Sequence, residues 1–183
     1  MPLDVRYYRL DIDVERVRWI GCVHEKDWRC VVRVRDMPVR DEWEVVSIEW
    51  LPETIKGEIA DIVQFTSNLR GISRRAREIL SPYLSDEGEW LETDGLECNY
   101  YLYHVLTAVE GFNWERSTYI GDKSHLSDVS KYAISVEDGI SLPDAFRIPE
   151  VLSSFIVSDR IRTVVEESSL TGFLFSDVEI VQK

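Results

Sequence analysis

The amino-acid sequence predicts an α+β fold, with a mixed or mainly antiparallel sheet and two principal helices. Short runs of aromatic and β-branched residues recur along the chain, and several of them alternate with polar residues as half-buried strands do. Two segments instead repeat apolar residues at the spacing of a helix that packs on a core. A length of 183 residues, with 44% hydrophobic and 30% charged residues, is typical of one domain with its own core. We therefore expect a single domain over residues 1–183, which divides at most into a β-rich lobe (1–70) and an α/β lobe (71–183).

The N-terminal part is predicted to form an antiparallel meander of three strands. In the first strand, residues 7–14, the apolar side chains that share one face are Tyr8, Leu10, Ile12 and Val14. The segments 30–35 (CVVRVR) and 43–51 (WEVVSIEWL) repeat the β-rich pattern and predict the second and third strands. Residues 15–29 fit no single pattern, so a loop and a further hairpin both stay open for them.

The first principal helix is predicted from Ser73 to Ser81. The Ser73 hydroxyl can accept a hydrogen bond from a free amide of the first turn, and Ala76 and Leu80 lie on one apolar stripe. Proline has no amide hydrogen to continue the helix, so Pro82 predicts that the helix ends near Ser81.

Residues 85–97 carry six acidic residues and no basic one around Trp90 and Leu91, and we predict an exposed loop or a short edge strand. An apolar ring surrounded by carboxylates is how protein interfaces concentrate affinity and speed association. The candidate partner-binding residues are therefore Asp86, Glu87, Glu89, Trp90, Glu92 and Asp94. The equally weighted alternative is that Trp90 and Leu91 pack inward and the acids only solvate the turn.

The C-terminal half is predicted to contain two strands, 100–109 and 131–136, followed by a strand, helix, turn and strand. Ser158 closes an apolar strand and can cap the second principal helix, Asp159 to Ser168. Gly172 stands where the chain leaves that helix, a position that favours positive φ, and a β-rich run follows it.

Several of these segments resemble a known family. The pieces FR (146–147), VSD (157–159) and LTGFLF (170–175) are similar to the C-terminal signature of immunity proteins from bacterial polymorphic toxin systems, the immunity-protein-11-like family. Residues 73–84 and 99–119 resemble that family's helix and its central strand with an acidic-aromatic turn, so the resemblance covers roughly the last two-thirds of the chain.

The resemblance implies a protein that binds and neutralises a cognate toxin, with no active site and no cofactor of its own. The motif residues look like scaffold, because strand, cap and turn account for them: they are Phe146, Arg147, Val157, Ser158, Leu170, Thr171, Gly172 and Phe173. The resemblance therefore identifies a fold better than it identifies a binding face.

The charge of the chain is uneven and favours a basic partner. Nine basic and seven acidic residues give residues 1–40 a net charge of +2. Residues 41–183 therefore carry a net charge of −15, which leaves the whole chain at −13. Such a field repels nucleic acid and anionic membranes and speeds encounter with a basic protein, for which a toxin domain is the expected partner. Acidity that serves only solubility explains the charge equally well.

The cysteines and the N-terminal sequence predict a cytoplasmic protein. Cys22, Cys30 and Cys98 form no CxxC pair and leave one thiol over in any disulfide scheme, as expected in a reducing compartment. The first residues lack the basic and apolar regions of a signal peptide, and no run of eighteen apolar residues occurs.

We expect no enzymatic activity, because the common catalytic motifs are absent: the glycine-rich phosphate loop, GxSxG, HExxH and paired CxxC. The alternative is an enzyme centred on His104 or on the group Cys22, His24 and Cys30. The spacing of that group matches no zinc pattern, and a histidine inside an aromatic strand is more often a structural hydrogen-bonding group. A general acidic adaptor or nucleic-acid mimic is the third alternative.

Overall fold

A computed structural model describes residues 5–96, 99–123 and 125–183 of the protein, except for the side chains of His125 and Leu152. These residues form three β-sheets and three α-helices. The helices are α1 (Glu25–Val31), α2 (Arg74–Leu84) and α3 (Asp159–Glu167), and 3₁₀ helices cover Arg40–Glu42 and Pro52–Thr54. The strands are β1 (Tyr7–Ile12), β2 (Ile20–Cys22), β3 (Val46–Trp50), β4 (Ile62–Gln64), β5 (Leu69–Ser73), β6 (Gly88–Leu91), β7 (Thr93–Asp94), β8 (Tyr100–Val105), β9 (Thr118–Asp122), β10 (His125–Val136), β11 (Ala145–Ile148), β12 (Val151–Ser158) and β13 (Phe173–Gln182). The predicted α+β class with mixed and antiparallel sheets is confirmed, and the structure adds a third helix to the two predicted.

The largest sheet has six strands in the order β11-β12-β1-β13-β10-β9. Its neighbours are antiparallel except β10 and β13, which run parallel. The first strand of the chain therefore lies between two of the last, with Leu10 of β1 opposite Phe175 of β13. This sheet draws together residues that are far apart in the sequence.

Two smaller sheets complete the architecture. One is antiparallel with the order β4-β5-β8-β6, and the other has the order β2-β3-β7, in which β3 and β7 are parallel. A single apolar core reaches all three sheets, since it contains Tyr8 of β1, Ile48 of β3 and Leu102 of β8. A second cluster, which includes Ile134 and Ile156, covers the other face of the six-stranded sheet.

The predicted meander is wrong, because β1 pairs with β12 and β13 instead of its neighbours in sequence. The predicted strand over residues 30–35 is also wrong, and α1 ends inside it. Val31 and Val34 are buried whereas Val32 is 63% exposed, so the burial follows the spacing of a helical turn and not the alternation of a strand. Residues 15–29, which matched no pattern, supply β2 and most of α1.

Helix α2 begins as predicted and continues further than predicted. Ser73 Oγ accepts a hydrogen bond from Ala76 N at 3.1 Å, which confirms the cap. The helix continues through Pro82 to Leu84, since Leu84 is buried in the core and Ser85 N donates to the Ser81 carbonyl. Burial of the last turn outweighs the single hydrogen bond that proline removes.

The C-terminal unit matches the prediction in all but one contact. Strand β12, helix α3 and strand β13 follow one another, and Gly172 has a φ of +87°. The predicted cap is wrong, because Ser158 makes no side-chain bond to the helix and its hydroxyl donates to Asp144 Oδ1 at 2.5 Å. The predicted strands at 100–109 and 131–136 correspond to β8 and β10. Among the described residues, no helix is long and apolar enough to cross a membrane.

Candidate functional site

The acidic segment folds mainly as two short strands at sheet edges. β6 is the last strand of the four-stranded sheet, and β7 pairs with β3 through Val46 and Thr93. The predicted short edge strand is therefore confirmed. Of the candidate residues, Asp86, Glu92 and Asp94 are exposed, Glu87 is half-buried, and Glu89 and Trp90 are buried. Glu97 and Cys98 lie outside the described residues.

Trp90 packs inward, which is the second of the two alternatives. Its side chain is 7% exposed, its ring centroid lies 4.6 Å from that of Tyr103, and the Arg77 guanidinium sits 5.8 Å from it. Leu91 beside it is also buried. Trp90 is therefore part of the core, and a partner cannot reach it as an exposed anchor.

Glu89 is a buried carboxylate that fixes a distant piece of backbone. Its Oε1 accepts from Val39 N and its Oε2 from Arg40 N, both at 3.0 Å, and His104 Nδ1 lies 2.8 Å from Oε1. Two amides and an imidazole thus replace the water that a buried carboxylate loses. Glu89 holds the start of the 3₁₀ helix Arg40–Glu42 against β6.

His104 is the other half of this buried pair. Its side chain is almost fully buried, and its Nε2 lies 2.6 Å from the carbonyl oxygen of Arg35. A carbonyl oxygen only accepts, so Nε2 carries the proton of that bond. Since Nδ1 faces Glu89, both ring nitrogens are engaged within the protein, and His104 joins β8, β6 and the segment before the 3₁₀ helix.

The segment that Glu89 holds is itself acidic and carries a tryptophan. Asp41, Glu42 and Glu44 are exposed, and Trp43 between them is half-buried. Trp43 Nε1 donates to the carbonyl oxygen of Glu92 at 2.8 Å, which places this ring beside the connection between β6 and β7.

Two acidic segments therefore meet on one surface, which we call the acidic face and define by Asp41, Glu42, Trp43, Glu44, Glu92 and Asp94. Asp94 lies next to the same segment, where its Oδ2 accepts from Ser47 Oγ at 3.4 Å. Residues 40–45 and 86–94 together contain eight acidic residues, with Arg40 as the one basic residue. Sequence reasoning missed Trp43, although DEWE at 41–44 repeats the acidic-tryptophan pattern of EGEW at 87–90.

The cysteine and histidine group proposed as a metal site is spread over two elements. Cys22 lies in β2, His24 precedes α1, Cys30 lies in α1, and both thiols are free. Burial, together with Asp27 and Cys30, raises the pKa of the Cys22 thiol to about 12. Within the described ranges, no three side chains of His, Cys, Asp or Glu are arranged to bind a metal ion.

Thr171, one of the motif residues that resemble the immunity-protein family, makes a structural contact with Asp61. Asp61 Oδ2 accepts from Thr171 N at 3.0 Å and from Arg75 Nη1 at 3.0 Å, and its Oδ1 accepts from Ser73 Oγ at 2.7 Å. The turn after α3 is thereby tied to the start of α2. This contact belongs to the scaffold and lies outside the acidic face.

No protein-family model matches the sequence, and no curated protein matches it at a significant level. The resemblance to immunity proteins remains a prediction from the motifs quoted above.

Proposed function

We propose that this chain is an immunity protein, which binds a cognate bacterial toxin domain in the cytoplasm and occludes the toxin's active or substrate surface. The observation that carries the proposal is the acidic face, where the half-buried Trp43 has exposed acidic residues on both sides in the sequence and hydrogen-bonds to Glu92. The motif resemblance in the C-terminal two-thirds supports the same class of function.

The chemistry of the acidic face suits a basic protein partner. Carboxylates in excess raise the encounter rate with a basic surface and disfavour anionic partners such as nucleic acid and membrane. An aromatic ring near the centre of such a surface supplies the apolar contact that holds the complex. Trp43 already has its N–H paired with Glu92, so burying the ring further leaves no donor unsatisfied.

Glu89 gives the acidic face a fixed backbone. Because it binds the amides of Val39 and Arg40, the residues that follow are held before a partner arrives. A surface ordered in advance loses less conformational entropy on binding. In this proposal Glu89 supports the face from inside, Glu92 and Asp94 belong to the face itself, and Asp86 and Glu87 precede β6 outside it.

Co-expression tests the proposal directly. The toxin domain encoded by the adjacent reading frame should kill cells that lack this protein, and its co-expression should restore growth and give a complex on gel filtration. Continued killing, with no complex formed by any neighbouring toxin domain, would disprove the immunity function.

Binding kinetics test the acidic face itself. Combined Glu42→Gln, Glu44→Gln and Glu92→Gln should slow association about tenfold at low salt and flatten its salt dependence. Trp43→Ala should instead speed dissociation, by about 30-fold if the ring is a central anchor worth about 2 kcal/mol.

The matched control removes three exposed acids elsewhere, through Glu53→Gln, Glu110→Gln and Glu167→Gln. It makes the same change in net charge and should alter association much less. Equal slowing by both triple variants would show that overall charge acts and the acidic face does not. Equal binding of several unrelated basic proteins would support the general acidic adaptor instead.

A further inference from the structure

A small cavity lies where the four-stranded sheet meets the edge of the six-stranded sheet. Its walls include Arg35, Asp36, Arg70, His104, Arg147 and Ser154. Its volume is about 20 Å³, which is room for one water molecule or an ion of similar size. Three arginines and one carboxylate line this small space, so basic residues are in excess there although the net charge of the protein is −13.

Arg70 brings a positive charge to this cavity, and no carboxylate is bonded to it. The residue is 9% exposed, and its guanidinium donates to the carbonyl oxygens of Thr66 at 2.7 Å, Ser67 at 2.8 Å and Ser153 at 3.1 Å. Among the described residues, no acidic oxygen lies within 4.0 Å of it. Burial lowers the pKa of Arg70 to about 10, although the more distant Asp11 acts in the opposite direction. Carbonyl dipoles satisfy its hydrogen bonds but do not neutralise its charge.

Arg147 adds a hydrogen-bond donor with no acceptor. Its Nη1 pairs with Asp36 Oδ1 at 3.1 Å, and the Asp36 side chain, which also lines the cavity, is 60% exposed. Its Nε is buried and has no partner among the described residues. A buried donor left unpaired is costly, and an acceptor in the cavity would remove that cost.

We propose that this cavity binds a monatomic anion of the halide class, with chloride as the ordinary occupant. The Arg147 Nε–H donates to the ion, and the guanidinium of Arg70 supplies the charge that balances it. Water could accept from Arg147, but water would leave Arg70 without a bonded counter-ion. The ion would join β5 and β8 of one sheet to β11 and β12 of the other, independently of the acidic face and of the proposed function.

Bromide diffraction is the first test, because bromide scatters anomalously and replaces chloride. Crystals of the wild-type protein soaked in bromide should show an anomalous peak in the cavity beside Arg147. A cavity that holds only water, with no anomalous peak at high bromide, would overturn the proposal.

Thermal unfolding is the second test. At constant ionic strength, chloride should raise the Tm of the wild-type protein relative to gluconate, by about 3 to 5 °C when chloride is about tenfold above its Kd. Arg147→Met should abolish this difference, and the control Arg33→Met, which changes an exposed arginine, should retain it. Equal melting in chloride and gluconate would contradict the site, and this comparison needs only the wild-type protein if Arg147→Met does not fold.

Discussion

Buried polar residues in this protein hold backbone segments together. Asp61 binds the Thr171 amide and the Ser73 hydroxyl, and Ser158 binds Asp144. Each of these groups exchanges water for a specific partner, so each fixes the distance between two elements. Local sequence patterns cannot show this, because the partners lie up to 110 residues apart. The cap predicted for Ser158 fails for that reason, as Asp144 takes its hydroxyl.

Gly172, the one glycine in the sequence of the C-terminal unit, is predicted to be sensitive to substitution. Its φ is +87°, and an added Cβ would lie 2.6 Å from the carbonyl oxygen of Ile62. Gly172→Ala should lower the free energy of unfolding by about 3 kcal/mol, since the backbone strain and the steric clash add. Gly139→Ala is the control, because Gly139 has φ of +83° with no atom within 4 Å of an added Cβ, and it should cost about 1 kcal/mol. Equal losses in urea unfolding would show that the clash at Gly172 is relieved.

The Cys22 thiol should make the protein less stable in alkali. Its pKa is 9.0 in an unperturbed thiol and about 12 in the folded protein, so the folded state retains this proton more tightly. A group with a raised pKa contributes its full stabilisation below pH 9 and loses it as the pH rises toward 12. The free energy of unfolding, measured with reductant present, should therefore fall between pH 8 and pH 10.

Cys22→Ala isolates this effect, and its decline between the same two pH values should be smaller than that of the wild type. Cys30→Ala makes the same chemical change at a half-buried position and should keep most of the decline. Tyr7, whose pKa burial and Asp144 raise to about 12, adds its own loss mainly above pH 10 in every variant. An unchanged decline in Cys22→Ala would show that this thiol does not contribute.

At the scale of elements, the acidic face depends on a strand that is covered on both sides. β6 buries Glu89 and Trp90, which are adjacent and therefore point to opposite faces of the sheet. One side chain supports the 3₁₀ helix that carries Asp41 and Glu42, and the other packs on Tyr103. The position of the exposed acidic residues is thus fixed by the buried side chains of β6.

The pair of Glu89 and His104 should be strongly coupled. Glu89→Gln alone should cost about 3 kcal/mol, because it leaves a buried imidazole and two amides without a charged acceptor. In a double-mutant cycle with His104→Gln, the double variant should lose clearly less stability than the two single losses together. Glu87→Gln, a half-buried acid next to β6, should change stability by less than about 0.5 kcal/mol. Additive losses in the cycle would contradict the coupling.

The sequence predicts an element well where all its local signals agree. The C-terminal unit has an apolar strand, an acid at the helix start and Gly172 at its end, and its strand, helix and turn are confirmed. Residues 30–35 were misassigned because six residues are too few to separate a strand from a helical turn, and tertiary burial of Val34 decides between them. The sequence does not predict β5, because Arg70 gives the segment a polar pattern. In the structure, the Arg70 guanidinium donates its hydrogen bonds to backbone carbonyls.

The sequence predicts the charge of the candidate site but not which of its tryptophans is exposed. The acids at Glu92 and Asp94 are exposed as expected, since charge is a local property of the sequence. Whether Trp90 or Trp43 lies at the surface depends on which strands cover them, and neighbouring residues do not encode that.

For the whole molecule, the strand order joins the ends of the chain. Residues 7–12 pair with both β12 and β13, and the main core takes side chains from all three sheets. No sheet can lose its packing without exposing apolar surface of the others. This organisation favours one cooperative unit over two separable lobes.

Thermal unfolding should accordingly show one transition. Far-UV circular dichroism reports the strands, and tryptophan fluorescence reports six rings, of which Trp19, Trp28, Trp43, Trp50 and Trp90 lie in or against the main core. The two signals should change with the same midpoint. Separate midpoints, with the fluorescence of the N-terminal tryptophans lost first, would show instead that residues 1–70 unfold on their own.

The position of β13 between β1 and β10 also governs when this protein can finish folding during its synthesis. A ribosome adding about 5 to 20 residues per second needs about 10 to 30 s to pass from β1 to β13. Until β13 is made, the nascent chain lacks a central strand of its largest sheet, so the edge of β1, and later that of β10, is available to chaperones. In the proposed immunity function, protection against a toxin made at the same time would therefore lag behind translation, which favours a standing pool of finished protein over synthesis on demand.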